Sequence, residues 1–387
     1  MKLKPINNLK NIQGQRVLVR VDFNVPLKDG KITDDYRLRA ALPTLEYLLS
    51  GGARLVLLAH LDDPQGEVVS DLSLKPIADH LSSLLKRPVI FVKETVGYRA
   101  DEAVGNLKDG EVLLLENLRF NKGEYQDDVK FAKRLATYGD VYVNEAFSVC
   151  HRQQASVSAL RRLLPAYHGL QLSGEIEALD KILKPELPLV VVMGGAKIST
   201  KLPLIKKLKS SADKVLIGGA LANNFFKYLD WEVGKSLIDE DELSKLEIFF
   251  KNGKIDNDII LPLDVVVKNE SGQAQVLPVQ NIKKTDTVLD IGPETIRLFS
   301  GYIKEAQTIV WNGPMGYFEE HAYSFGTLNV AMAIAARSTG HAFGLVGGGE
   351  TVAALQQTKM EGYVDFISTG GGAMLSYLGG EKMPGLD

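Results

Sequence analysis

Four glycine runs in the second half of the chain each follow a short apolar stretch: Gly194-Gly195-Ala196-Lys197, Gly218-Gly219-Ala220, Gly347-Gly348-Gly349-Glu350-Thr351 and Gly370-Gly371-Gly372-Ala373. A strand that ends in glycine ahead of a helix presents bare backbone N–H groups at the helix N-terminus, where the dipole favours phosphate. One such run is explained by a tight strand-to-helix turn. Four in one half of a chain point to a polyphosphate ligand. The first half carries a different chemistry: Asp22 and Asn24 after its first strand, Arg37 beyond the turn, His60 after the second strand, Arg119 after the fourth, and His151-Arg152 beyond the fifth. Open α/β sheets bind ligands at the carboxyl ends of strands, so these residues can converge on one edge. A lone arginine is most often a solvated charge. Three of them with a histidine, each near a strand end, fit a site for phosphate and carboxylate, because the guanidinium fork makes bidentate charge-assisted bonds.

The elements that must position these residues follow from alternation of strand-like and helical patterns. Strands are expected at 16–21, 54–59, 89–92, 111–115 and 140–143, with helices such as 39–49 and 73–85 between them. The second half repeats the pattern with strands at 189–192, 214–217, 287–291, 308–311, 342–346 and 364–367, and an irregular β segment near 258–276. This is an α/β chain of βα units, with parallel sheets covered by helices on both faces. Residues 173–183 have apolar positions at helical spacing and then meet Pro185 and Pro188, as an interdomain helix stopped before a new strand would.

Composition sets the limits. At 387 residues the chain exceeds the size at which one core keeps growing, so two domains are expected. Hydrophobic residues at 45% and charged residues at 24% are globular values. The net charge of -3 gives no basic face for nucleic acid. No apolar run reaches the roughly 18 to 20 residues of a membrane span, and the N-terminus lacks the apolar segment of a signal peptide. With a single cysteine, Cys150, no internal disulfide can form, which fits a reducing compartment; a cytoplasmic place is expected.

Three motif-like strings carry less than they promise. Val233-Gly234-Lys235-Ser236 resembles the end of a P-loop, but the position of that motif's first glycine is Leu229. Cys150-His151 are adjacent, and neighbours on an extended segment point to opposite faces, so Cys150 reads as a small hydrophobe. The six histidines include no close pair of the zinc type. A nicotinamide-dependent oxidoreductase is opposed by the lack of Gly-x-Gly-x-x-Gly with an acidic residue about 20 positions later.

Taken together, Asp22-Phe23-Asn24-Val25-Pro26, Arg37-Leu38-Arg39-Ala40-Ala41-Leu42-Pro43-Thr44, Leu115-Glu116-Asn117-Leu118-Arg119-Phe120, Gly194-Gly195-Ala196-Lys197, Trp311-Asn312-Gly313-Pro314 and Ser368-Thr369-Gly370-Gly371-Gly372-Ala373 resemble the successive signatures of phosphoglycerate kinases, in that family's order. The resemblance implies two doubly wound parallel-sheet (Rossmann-like) domains joined by an interdomain helix and hinge. The N-terminal domain, 1–170, would bind 3-phosphoglycerate or 1,3-bisphosphoglycerate. The C-terminal domain, 171–371, would bind ADP or ATP with Mg²⁺, and the tail, 372–387, would dock on the first domain. Asp22, Phe23, Asn24, Arg37, His60, Arg119 and Arg152 would hold phosphoglycerate. Gly194, Gly195, Lys197, Lys201, Gly218, Gly219, Asn312, Pro314, Glu319, Gly347, Gly348, Gly349, Glu350 and Thr351 would hold the nucleotide, with Glu350 toward the metal. Arg37, Lys197 and the N–H groups of Gly371 and Gly372 would stabilise the group in flight. The family also implies a monomer. The alternative is a protein of the same fold that binds these ligands without turnover.

Departures from the family pattern stand beside the agreement. The family usually reads His-Leu-Gly-Arg-Pro after the second strand, whereas this chain has His60-Leu61-Asp62-Asp63-Pro64. An anion therefore stands where a phosphate-contacting arginine is usual, which implies weakened phosphoglycerate binding unless a cation such as Arg20 compensates. Glu350 replaces the commoner aspartate, keeping a hard oxygen ligand suited to Mg²⁺. Tyr317 stands where a smaller aliphatic residue is usual beside the base.

Overall fold

Apolar runs with buried residues on both faces build the two sheets that organise the chain. The computed structural model describes residues 3–196, 198–251 and 254–387. The first sheet has seven strands in the order Lys4–Pro5, Ala166–His168, Val141–Asn144, Arg16–Arg20, Arg54–Leu58, Val112–Leu115 and Val89–Val92, all parallel. Alternation along its strands divides the core. Val17, Val19, Leu55, Leu57, Val112 and Leu114 pack on one face with Leu38, Leu45, Ile77 and Leu81 of helices Tyr36–Ser50 and Lys75–Leu85. Leu18, Val56, Leu58, Leu113 and Leu115 pack on the other with Ala100, Val104, Ala132 and Leu135 of helices Tyr98–Asn106 and Val129–Ala136. This is the doubly wound α/β arrangement, in which both sheet faces are covered by helices.

The second sheet has six parallel strands in the order Ile259–Ile260, Lys214–Ile217, Leu189–Met193, Thr308–Asn312, Phe343–Gly347 and Phe366–Ser368. In each sheet the strand order reverses beside a central strand. The chain leaves Arg16–Arg20 toward Arg54–Leu58 and later returns on its other side as Val141–Asn144. Likewise Leu189–Met193 lies between Lys214–Ile217 and Thr308–Asn312. Crevices open at the carboxyl ends of strands at such switch points. Asp22 and Asn24 follow one central strand, and Gly194-Gly195 follow the other.

One expected strand lies elsewhere. Thr287–Ile291 pairs antiparallel with Asp264–Lys268, which also pairs with Ala274–Pro278, in a separate three-stranded sheet. A short apolar run does not reveal the direction of its partner; that is set by residues over twenty positions away.

By contact density the chain divides into two compact units, one of residues up to Glu177 together with Lys382–Asp387 and one of Ala178–Glu381. Helix Leu170–Leu183 runs across that division. Within the first unit the last residues are fastened to the fifth strand's end: Gly385 N–H donates to Cys150 O at 2.9 Å, Asn144 Nδ2 donates to Gly385 O at 3.3 Å, and Arg161 Nε donates to Pro384 O at 2.9 Å. Helix Gly372–Gly379 packs against Ile198–Leu208 within the second unit.

Candidate active site

In the first unit, polar side chains gather where the sheet order reverses. Asp22 is buried, and its carboxylate accepts from Asn24 N–H at 3.3 Å and from Arg37 Nη1 at 2.5 Å. Asn24 Oδ1 accepts from Asp62 N–H at 2.9 Å, tying the first strand's loop to the second's. The Phe23 side chain lies in the hydrophobic core, so only its backbone is available to a ligand.

His60 is buried against Arg20, whose Nη2 lies 3.1 Å from His60 Nδ1. Arginine has no acceptor, so Nδ1 must accept and the ring proton sits on Nε2. Burial, followed by the charges of Arg20, Arg119, Arg37 and Arg152, holds the imidazole pKa well below the usual value of 6.5. His60 is therefore a neutral donor. Arg20 itself is fully buried, with Nε donating to Ser156 Oγ at 2.9 Å and Nη1 to Val21 O at 2.7 Å. Buried and engaged with three neighbours, it orients them from within the fold and is no surface cation beside Asp63.

Arg119 lies in the short helical turn Leu118–Phe120, capped by Asn117, whose Oδ1 accepts the Arg119 N–H at 3.0 Å. It is 4% exposed, yet among the described residues its Nε and Nη2 have no partner. Nη1 donates to Asp62 O at 2.7 Å. Buried donors without acceptors are costly unless a ligand supplies them. Burial and the nearby charges of Arg152 and Arg20 lower its pKa. The exposed Arg152 thus belongs electrostatically to the same cluster. Asp63 Oδ1 lies 3.7 Å from Arg119 Nη1, held by Tyr125 OH at 2.7 Å, while Gln65 Nε2 donates to Asp63 Oδ2 at 2.6 Å. Tyr125 also sits under the Arg119 guanidinium, 5.8 Å from its ring centre.

In the second unit a cavity of about 450 Å³ is lined by Gly195, Gly219, Pro314, Glu319 and Glu350 among others, with apolar walls from Phe226, Leu237, Val265 and Leu289. The glycines around its mouth serve a different purpose from the one expected. Gly195 N–H donates to Pro314 O at 2.8 Å, Gly218 N–H to Met193 O at 2.8 Å, and Gly219 N–H to Met315 O at 3.0 Å. Those N–H groups are consumed by the backbone. A Cβ on Gly194 would lie 2.1 Å from Pro314 O, and one on Gly219 2.6 Å from Gly195 N, so glycine permits the two loops to touch.

The later runs keep helix starts. Helix Gly349–Gln357 begins after Gly348 at φ +98°, and helix Gly372–Gly379 after Gly371 at φ +52°. Their first N–H groups lack intrahelical acceptors by geometry. Asn312 bridges this region: its Nδ2 donates to Gly347 O at 2.8 Å and its Oδ1 accepts from Lys201 Nζ at 2.8 Å. Thr351 Oγ1 accepts from Gly313 N–H at 2.7 Å. Lys201 is buried, which pushes its pKa down to about 8, against the opposing pull of Glu350. Lys197 lies outside the described residues.

Glu350 lies in the first turn of its helix and lines the cavity. Among the described residues no group of three histidine, cysteine or acidic side chains forms a closed metal cage. Mg²⁺ does not require one: it is commonly held by one or two carboxylates, phosphate oxygens of a substrate and water. Of the two exposed carboxylates lining the cavity, Glu319 and Glu350, the one at the helix start, Glu350, fits that pattern.

The family model described as phosphoglycerate kinase matches residues 6–381. The chain belongs to the phosphoglycerate kinase family. A phosphoglycerate kinase of Moorella thermoacetica is 46% identical over 380 residues, covering 97% of this chain and 96% of that protein. One of Dictyoglomus turgidum is 43% identical over 393 residues, covering 100% and 98%. The solved phosphoglycerate kinase of Coxiella burnetii superposes with a TM-score of 0.86 at 35% identity, over 99% of this chain and 98% of that one. The solved phosphoglycerate kinase shares the α/β fold described above.

Sequence reading missed several contributors. Ser156 and Tyr125, and the part that Arg20 plays toward His60, depend on partners more than thirty positions away in sequence, and only the folded sheet brings them together. Lys235 lines the cavity although its string is no P-loop; the neighbouring Ser236 Oγ merely accepts from Val288 N–H at 2.8 Å. Cys150 is buried and its thiol is pushed up to about 12, as an inert small hydrophobe should be.

Proposed function

We propose that this chain catalyses reversible phosphoryl transfer from 1,3-bisphosphoglycerate to ADP, giving 3-phosphoglycerate and ATP. The observation that carries the reading is Arg119, buried with two unpartnered donors among Arg20, Arg37, Arg152 and the neutral His60. Such a cluster is built for a bound anion, and phosphoglycerate supplies one at each end. Asp22 orients Arg37 toward it, and His60 offers its Nε2–H.

The nucleotide goes to the second unit, its base and ribose in the apolar cavity and its phosphates toward Lys201, Lys197 and the helix starts at Gly349 and Gly372. Mg²⁺, held through Glu350, would neutralise charge on the nucleotide phosphates. No general base is needed, because the attacking group is already an anionic oxygen. What remains is alignment and electrostatic stabilisation by Arg37, Lys197 and the N–H groups of Gly371 and Gly372. With one reactant on each unit, transfer requires a closing motion that also keeps water from the acyl phosphate. A monomeric, cytoplasmic enzyme with no nucleic-acid or membrane partner belongs to the same reading.

The decisive experiment is ADP phosphorylation by 1,3-bisphosphoglycerate with and without Mg²⁺. Magnesium-dependent ATP formation supports the reading. Binding of both ligands without turnover would instead make this a non-catalytic member of the fold.

A further inference from the structure

One buried carboxylate beside the cavity has no part in the reaction as described. Asp290, on strand Thr287–Ile291, is 2% exposed and is among the residues lining the cavity. Its Oδ2 accepts from Gly326 N–H at 2.8 Å and its Oδ1 from Ile291 N–H at 2.9 Å. A Cβ on Gly316 or on Gly326 would lie 2.2 Å from Oδ1, so two glycines vacate the space the carboxylate fills. Beside it, Thr327 Oγ1 accepts from Met315 N–H at 3.0 Å and Gly316 N–H at 3.1 Å, and Tyr317 N–H donates to Leu289 O at 2.7 Å. The wall formed by Pro314, Met315, Gly316, Tyr317 and Glu319 is thus fastened to the strand and the helix start behind it.

We propose that Asp290 is a positioning residue for the nucleotide: its carboxylate fixes Gly326, and the adjacent Thr327 hydroxyl, held by that helix start, clasps the 314–319 wall in the shape that receives the nucleoside. The clasp acts by pre-organisation, since a site formed only part of the time binds more weakly by that fraction. Replacement by asparagine keeps the shape but turns an acceptor into a donor facing a backbone N–H.

The inference rests on the nucleotide reading of this cavity, and calorimetric titration of ADP and of 3-phosphoglycerate into wild type, Asp290→Asn and Thr327→Val separates the two. The ADP dissociation constant should rise about tenfold in Asp290→Asn, and in the same direction in Thr327→Val, with that for 3-phosphoglycerate unchanged. Unchanged ADP affinity, or equal loss for both ligands, overturns the inference. Absence of ADP binding by the wild type overturns the nucleotide reading itself. If Asp290→Asn does not fold, Thr327→Val decides alone.

Discussion

Arg20 Nη2 and His60 Nδ1 meet at 3.1 Å in a buried setting, and this contact fixes which imidazole nitrogen keeps the proton. The same setting makes acid costly. The folded His60 pKa lies well below 6.5, so between the two values the unfolded chain binds more protons than the folded one. The resulting stability is complete above 6.5 and is lost as pH falls toward the folded value. Melting temperature should therefore drop less steeply below pH 6.5 in His60→Gln than in wild type, by calorimetry across that range.

Arg119→Lys keeps the charge but loses the fork. With one donor cluster in place of two directed bonds, the Michaelis constant for 3-phosphoglycerate should rise about ten- to a hundredfold, with that for ATP nearly constant. Steady-state kinetics with each substrate varied checks this.

Asp63 places a carboxylate 3.7 Å from the same arginine, braced by Tyr125 and Gln65. In the proposed reading, a phosphate bound at Arg119 would share it with a fixed negative charge. Asp63 is half exposed, so the effect is screened, and Asp63→Asn should lower the 3-phosphoglycerate Michaelis constant about two- to fivefold. An unchanged or higher value defeats the argument. Arg20 is fully buried and tied to His60, Ser156 and Val21, so it is not a surface cation in place of the usual arginine.

Glu145 anchors the start of helix Leu170–Leu183. Its carboxylate accepts from Thr44 Oγ1, Gln171 N–H at 3.0 Å and Leu172 N–H at 3.2 Å, while burial pushes its pKa up to about 7. A raised acid contributes stability that is complete below 4.5 and is lost as pH climbs through 7. The decline in melting temperature from pH 5 to pH 8 should therefore be smaller in Glu145→Gln, even though the variant starts lower for want of an acceptor.

Glu350→Ala removes the one carboxylate we assign to the metal. Turnover should fall strongly, and the Mg²⁺ concentration for half-maximal rate should increase. Near-normal magnesium dependence would show that the ion is held otherwise.

Much of this protein was legible along the chain, because apolar runs and the residues that follow them are local facts. Asp22, His60 and Arg119 could be placed beyond strand ends, and the glycine runs before helices, without any knowledge of pairing. Family order then divided the chemistry between the halves. What each residue does with its position depends on contacts that only folding makes. Strand order, set by partners more than a hundred positions apart such as Leu189 and Thr308, created the two crevices. Desolvation left Arg119 with unpartnered donors and His60 neutral, and neither burial is written in its neighbours along the chain. The glycines of the first two runs turned out to admit close backbone contact, because loops from a different strand supply the carbonyls that take their N–H groups. Periodicity reports which way a side chain faces its own sheet; it cannot report what the fold brings from elsewhere to meet it.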